Sequence, residues 1–245
     1  MPHSARDRVD LRVATYNIHK CRGLDRRTRP ERIAAVLASI NADVVAMQEV
    51  VGPGLSGPGH AEAIGAALGM GWVFASTREH RRHQYGNVVL SRLPMRDHTQ
   101  CDLTWKTCEP RCVQRVALDL GAGRLLHLYN VHLGTALLER RYQAARLASW
   151  VHNRRPSGPK LVLGDFNEWS RGLATDMLAQ RLRSIDLFRH LKRRRTYPGF
   201  FPVFHLDHIY FDGDIEVRKV ELPRTRLALV ASDHLPLVAD IRVGF

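Results

Sequence analysis

Six short segments of this 245-residue chain set carboxylate, amide or imidazole side chains at the ends of otherwise apolar runs. They are TYN ending at Asn17, MQE ending at Glu49, YNVH ending at His132, GDFN carrying Asp165 and Asn167, LDHIY carrying Asp207, and SDHLP carrying Asp233 and His234. A strand interior excludes ionised groups, because an unpaired buried carboxylate costs several kcal/mol. Strand ends that converge on a cleft are where such groups belong, and a cleft furnished with them can hold a hard cation or move protons. Singly, each has a plainer reading. Glu49 serves as a solvated loop carboxylate, Asn17 as a turn residue, Asp165 as a helix N-cap, His132 as a satisfied strand histidine, and Asp233-His234 as the start of a turn before Pro236. Their joint order, spread over residues 15 to 234, carries the meaning.

Strand-length apolar segments alternate with amphipathic helical ones to position these groups, and no Ser/Gly-rich linker divides them, so one domain over residues 1–245 is expected. LRVATY (11–16) and DVVAM (43–47) read as strands. TRPERIAAVLASI opens a helix that runs to about Ile40, with Thr28 three residues before Glu31 in capping-box spacing and Pro30 in the first turn. VGPGLSGPG (51–59) reads as loop, since its glycines and prolines break helix and strand alike. A small helix over 61–68 and strands near 72–75 and 87–90 follow, then a hairpin in which 113–120 and 124–131 flank Gly121-Ala122-Gly123. Within 138–152, Ala144, Leu147, Ala148 and Val151 recur at helical spacing, and strands at 160–163, 206–211 and 235–241 complete the set. Strand, helix, strand in both halves predicts two mixed sheets packed face to face and covered by helices. The order of strands within them does not follow from the pattern.

Lys and Arg number 37 against 24 Asp and Glu, a formal charge of +13 that attracts nucleic acid, acidic lipid surfaces or small phosphates. Cys21, Cys101, Cys108 and Cys112 form no CxxC pair and no His-rich zinc spacing, which fits reduced thiols and leaves zinc unexpected. The opening MPHSARDRVDLRV lacks the apolar core of a signal peptide, and no run approaches the ~18 apolar residues of a membrane span. A soluble cytoplasmic protein is the expectation; oligomeric state leaves no mark. Arg78, Arg81 and Arg82 precede a strand, and Lys192-Arg193-Arg194-Arg195 runs into TYPGFF. One reading is a solvated loop face. The other has the basic run, beside Tyr197, Phe200 and Phe201, docking a lipid surface or stacking nucleic-acid bases with salt-sensitive binding.

In this order, TYN, QE, NVH, GDFN, DHIY and SDH resemble the endonuclease/exonuclease/phosphatase superfamily, which includes pancreatic-type deoxyribonucleases, abasic-site endonucleases, neutral sphingomyelinases and inositol polyphosphate phosphatases. YGNVVLSRLPM (85–95) is similar to the family's YGNxxLSR strand, and the likeness covers almost the whole chain. The resemblance implies a four-layer α/β sandwich, two mixed β-sheets flanked by helices, and hydrolysis of phosphodiesters with Mg²⁺, for which Mn²⁺ could substitute. It makes Glu49 the principal metal ligand with Asn17 beside it, and Asp233 a sharer of the metal sphere directly or through water. Asp165 and Asn167, two apart and so on one side of an extended stretch, would orient the nucleophile. His234 would be general base or phosphate-contacting imidazole, oriented by Asp207, and His132 would donate to a phosphate oxygen or protonate the leaving group. Tyr85, Asn87 and Arg111 fall where the family faces its substrate.

Two departures bear on substrate. His19 stands two positions after Asn17, where abasic-site endonucleases carry an acid or amide, and Glu49 is followed by Val-Val rather than Thr-Lys. NIHK together with LDHIYF is similar to bacterial members on the sphingomyelinase and phospholipid-phosphodiesterase side, so a phospholipid or small phosphodiester is expected. A metal-dependent DNA or RNA nuclease is the rival within the family. The rival from another class is a non-catalytic protein on the same fold that binds an anionic polymer or membrane.

Overall fold

The computed structural model describes residues 8–55, 57–153, 156–169, 173–185 and 187–245. The first seven residues, which belong to the leader argument, and Ser56 of the glycine-proline stretch lie outside the described residues. The elements in chain order are β1 (Arg8–Asn17), α1 (Pro30–Ile40), β2 (Val44–Gly54), α2 (His60–Leu68), β3 (Gly71–His80), β4 (His83–Ser91), β5 (Met95–Asp102), β6 (Cys112–Asp119) and β7 (Leu125–His132). They continue with α3 (Leu137–Asn153), β8 (Lys160–Asp165), α4 (Leu173–Ala179), β9 (Arg183–Ser184), α5 (Leu187–His190), β10 (Asp207–Asp212), β11 (Ile215–Glu221), α6 (Arg226–Ala231) and β12 (Leu237–Gly244). Two six-stranded sheets form, ordered β11-β12-β1-β2-β4-β3 and β5-β6-β7-β8-β10-β9. Each is mixed: β1–β2 and β7–β8 run parallel and the other neighbours antiparallel.

Period-two alternation explains how each strand serves two layers. In the second sheet Leu126, Leu128, Leu161, Leu163, Ile209 and Phe211 join the core between the sheets. The residues between them, Tyr129, Val131, Val162 and Tyr210, pack instead with Ala144, Leu147 and Val151 of α3. On the far side of the first sheet, Ile33, Val36, Leu37 and Ile40 of α1 and Ile64 of α2 are buried in the same way. The four-layer sandwich is therefore helix, sheet, sheet, helix.

A ladder of polar groups crosses the sheet–sheet core. Gln48 donates to Thr15 Oγ1 (3.1 Å) and Asn130 Oδ1 (2.7 Å), and Asn130 donates to the carbonyls of Met47 (3.0 Å) and Val88 (2.9 Å). Asn130 also reaches Gln114 Oε1 (3.3 Å), whose own amide donates to the Val73 carbonyl (2.9 Å). All of these side chains are buried, and their mutual bonding offsets the desolvation cost of each.

Two sequence expectations are corrected. Helix α1 begins at Pro30 with Arg29 as its uncapped N-cap, so Glu31 is one position too early for a capping box, and Thr28 pairs with Arg22 in an isolated bridge. The stretch from Val51 is not all loop: β2 continues to Gly54 against β4. Gly52 and Pro53 are accommodated because the pairing register shifts between Val51 and Gly54, a bulge at which a residue without an N–H is tolerated.

Candidate active site

Adjacent strands of the second sheet place three of the candidate groups in one row. In register, His132 at the end of β7 lies beside Asp165 at the end of β8, and Asp165 lies opposite Asp207 at the start of β10. Each continues an inward-facing alternation, Asp165 after Leu163, Asp207 before Ile209 and His132 after Leu128 and Asn130, so all three turn toward the other sheet. Gly164 is required just before Asp165: a Cβ there would sit 1.9 Å from the Val131 carbonyl oxygen, and its φ is 153°.

Two carboxylates opposed across a strand pair repel. His234, delivered by the loop between α6 and β12, stands between them. Its Nδ1 is 3.0 Å from Asp207 Oδ2 and its Nε2 3.6 Å from Asp165 Oδ2. Burial opposes protonation, yet Asp207 and Asp165 raise the His234 pKa to about 10, so the ring is an imidazolium at neutral pH. Burial pushes the Asp165 carboxyl up to about 6, with His234 pulling against it and Asp207 adding to it. Ser232 fixes the loop by donating its hydroxyl to the Asn17 carbonyl (2.8 Å), and the Tyr197 ring packs on His234 at 4.9 Å.

The first sheet contributes Asn17 and Glu49 at the same end. Asn17 donates from Nδ2 to Asp165 Oδ2 (3.0 Å) and Glu49 Oε1 (3.3 Å), tying the two carboxylates across the sheets. Gln48 pairs with Asn17 and faces the other sheet, so strict alternation would send Glu49 outward to the helices. It does not, because Gln48 and Glu49 together oppose Asn87 in a β-bulge, and Glu49 adopts φ 57°. The bulge re-aims Glu49 into the cleft. Burial opposes its ionisation, but His132 and Lys20 hold the carboxyl well below the usual range. Lys20 is the nearer contact, its Nζ 2.7 Å from Glu49 Oε2.

Burial and Arg111 hold His132 well below the usual imidazole range, leaving it neutral. Arg111 Nη1 lies 2.8 Å from His132 Nδ1 and 3.1 Å from its Nε2, and a guanidinium only donates, so the neutral ring accepts from Arg111 through one of its nitrogens. His132 Nε2 is 3.6 Å from Asp165 Oδ2. Arg111 is itself held by Glu109 (2.7 Å). Tyr85, Asn87, Arg111 and His132 line one cleft, and burial with the Glu49 carboxylate pushes the Tyr85 phenol up. Asn87 faces the other sheet, donating to the Cys112 carbonyl (3.3 Å).

Two expected placements differ. Asp165 and Asn167 are not on one side of an extended stretch: Asn167 has φ 49°, its N–H donates to Asp165 Oδ1 (2.9 Å), and its Nδ2 donates to the Leu133 carbonyl (2.8 Å). The segment is a turn closed by the aspartate. Asp233 points to His19 (3.6 Å) and Ser232 (3.4 Å) rather than to Asn17 or Glu49. Sequence reasoning missed Lys20, Ser232, and the Gln48–Asn130–Gln114 ladder. Asn130 had a signal, standing two residues before His132 on the same strand face.

Among the described residues, Asp165, Asp207 and His234 present ligand atoms within 4.8 Å of one another, close enough to share a cation. The Asp207–His234 hydrogen bond already accounts for one of these contacts. Glu49 offers a second place, with the Asn17 amide N–H beside it, and the Lys20 ammonium at Glu49 marks it as one that accepts positive charge. His234, as an imidazolium, has no lone pair for a cation, so the Glu49 carboxylate is the place that suits a hard divalent cation.

The sequence profile described as the Endonuclease/Exonuclease/phosphatase family matches residues 14–234. The chain is 31% identical over 247 residues to the uncharacterized protein YbhP of Escherichia coli (strain K12), covering 95% of this chain and 96% of that protein. Among solved structures it is similar to an endonuclease/exonuclease/phosphatase from Bacteroides vulgatus, with TM-score 0.80 and 19% identity over 96% of this chain and 99% of that one. The mannosyl-6-phosphatase Bt3783 of Bacteroides thetaiotaomicron gives TM-score 0.78 at 18% identity, over 94% of this chain and 99% of that one. The human Nocturnin catalytic domain gives 0.70 at 20%, over 98% and 97%.

Proposed function

The chain belongs to the endonuclease/exonuclease/phosphatase family, whose members are phosphoesterases and nucleases, and from that premise we propose that it is a divalent-metal-dependent phosphodiesterase acting on a small phosphodiester or phospholipid headgroup. The observation that carries this reading is the buried row His132, Asp165, Asp207 with His234 inserted, joined through Asn17 to Glu49 on the opposite sheet. Glu49 would hold Mg²⁺, or Mn²⁺ in its place, with the Asn17 amide beside it and Asp233 set back against His19 and Ser232. When bound, such a cation offsets phosphate charge and eases departure of the leaving oxygen.

The chain's own groups divide the remaining work. Asp165, raised to about 6, is a carboxylate at neutral pH that can take a proton from the attacking water, and the Asn167 N–H and Asn17 amide fix its orientation. His234, kept protonated and aimed by Asp207, offers positive charge to a phosphate oxygen rather than acting as a base. Neutral His132, with one ring nitrogen held by Arg111, has a ring N–H to donate to the substrate. Tyr85 and Asn87 border the cleft where the ester group would lie.

Purified protein is assayed with Mg²⁺, Mn²⁺ or EDTA on a plain phosphodiester reporter, on sphingomyelin and phosphatidylinositol, and on single- and double-stranded DNA. Cation-dependent turnover of the reporter or a lipid is expected, with His234→Ala losing at least ~100-fold while binding persists. Turnover confined to DNA would select the nuclease reading. Binding to DNA or liposomes without turnover under any divalent cation would leave a non-catalytic scaffold.

A further inference from the structure

The excess positive charge is not evenly neutralised. Arg12, Arg32, Arg78, Arg115 and Arg242 each meet a carboxylate. A cavity of about 490 Å³ beside Glu49 is different: Lys20, Arg22, Arg26, His60, Arg81 and His83 are among its lining residues, and none of that lining is a carboxylate. Among the described residues, the guanidinium groups of Arg22, Arg26 and Arg81 make no hydrogen bond or ion pair. Three cationic groups collected around one open volume repel one another unless an anion enters.

The cavity adjoins the catalytic cluster through Lys20. Lys20 lines it and is also the residue whose Nζ lies 2.7 Å from Glu49 Oε2, with the Tyr85 ring centroid 5.7 Å away. Its histidines add donors and acceptors of their own. His60 Nδ1 is buried without a partner, and His83 meets the Gly52 carbonyl through Nδ1 (3.2 Å), which leaves its other ring nitrogen for a ligand. Burial, then Arg78, Arg81 and Lys20, hold His80 below the usual imidazole range, as a local positive field requires.

We propose that this cavity is a second anion subsite, which takes a phosphate group carried by the substrate beside the scissile phosphoester. The inference rests on the phosphodiesterase reading and adds to it a substrate class: phosphodiesters bearing a further phosphate. A carboxylate is satisfied by one guanidinium, whereas a tetrahedral phosphate dianion presents enough oxygens to engage several arginines at once. A volume of about 490 Å³ also leaves room for the ring or polyol that carries the phosphate.

Two matched substrate pairs test it: the p-nitrophenyl ester of thymidine 5′-phosphate with its 3′-hydroxyl free or phosphorylated, and glycerophosphoinositol with and without a ring 4-phosphate. Wild-type protein should prefer the phosphorylated member of at least one pair by ~10-fold or more in kcat/KM. The pair showing the preference distinguishes a nucleotide phosphate from a headgroup phosphate. The Arg26→Ala/Arg81→Ala double variant, altered at two exposed loop positions, should bring that ratio close to one. Equal kcat/KM within both pairs for the wild type, or a ratio that survives in the variant, overturns the subsite. An activity-independent measurement accompanies it: inorganic phosphate is titrated into EDTA-treated protein while the ring resonances of His60, His80 and His83 are followed. These should shift in the wild type, with affinity weakened ~10-fold or more in the double variant. Rings that do not respond, or equal affinity in the variant, overturn the proposal, whereas absence of turnover on every substrate counts against the phosphodiesterase reading alone.

Discussion

Replacing Asp207 with Asn keeps the shape of the dyad and removes the charge that holds His234 protonated. A rise of the ring's pKa from 6.5 to about 10 corresponds to roughly 5 kcal/mol of preference for the protonated form, the net left after burial is subtracted from what Asp207 and Asp165 supply together. The sign follows from proton counting. Between 6.5 and about 10 the folded chain holds a proton that the unfolded chain has released, so this stabilisation is complete below 6.5 and disappears as pH rises through about 10. Asp207 lies closer to the ring than Asp165, at 3.0 Å against 3.6 Å. Asp207→Asn should therefore destabilise the fold at pH 7 by about 3 kcal/mol, the low end for breaking a buried pair. It should also cut turnover ~100-fold or more. Urea unfolding in EDTA gives the first number. Histidine ¹⁵N spectra taken between pH 5 and 9.5 give the second quantity at issue, with His234 staying protonated throughout in the wild type and titrating inside that window in the variant. A wild-type His234 that is neutral at pH 8, or a variant within about 1 kcal/mol of wild type in stability, would show that the two carboxylates do not act as the geometry says.

Asn130→Leu should cost roughly 3 kcal/mol in urea unfolding, because it strands the Gln48 amide, two carbonyls and Gln114 Oε1 in the core; combined with Gln48→Leu the loss should be less than additive. Gly164→Ala should lower stability by more than ~3 kcal/mol, since its Cβ meets the Val131 carbonyl oxygen, and a soluble variant with an unchanged urea midpoint would contradict the packing of β7 against β8. Acid sensitivity should trace in part to His208, which burial holds down at about 4. Its folded pKa lies below the unfolded value, so stability is lost as pH falls from about 6.5 toward 4, and His208→Phe should flatten that slope in urea midpoints compared at pH 7 and 5.

Period-two alternation made much of this site legible before any coordinates. Asn17, His132, Asp165 and Asp207 all continue an inward-facing parity, and each stands at a strand end, so apolar runs closed by polar groups point to the site once their joint order is taken together. Glu49 is marked by its place at the end of an apolar run, but its inward aim does not follow from parity, because the bulge that turns it inward leaves no trace in hydrophobic spacing. The same holds for the extent of β2, whose Gly52 and Pro53 read as breakers and are instead housed in a second bulge. Lys20 and Ser232 escaped notice because their partners, Glu49 and Asn17, are 29 and 215 positions away. Strand order escaped for a related reason: β12 lies between β1 and β11, a neighbourhood that no local pattern records.

That placement of β12 has a consequence for how the molecule comes into being on a ribosome. The slot between β1 and β11 stays open until residues 237–244 have emerged, although β1 was made some 230 positions earlier. The stretch that fills it follows directly on Ser232, Asp233 and His234, so assembly of the cleft and closure of the first sheet are one late event. A nascent or prematurely terminated chain that ends before His234 would possess most of the sandwich and none of the imidazolium, and so would be born inert toward the phosphate esters around it.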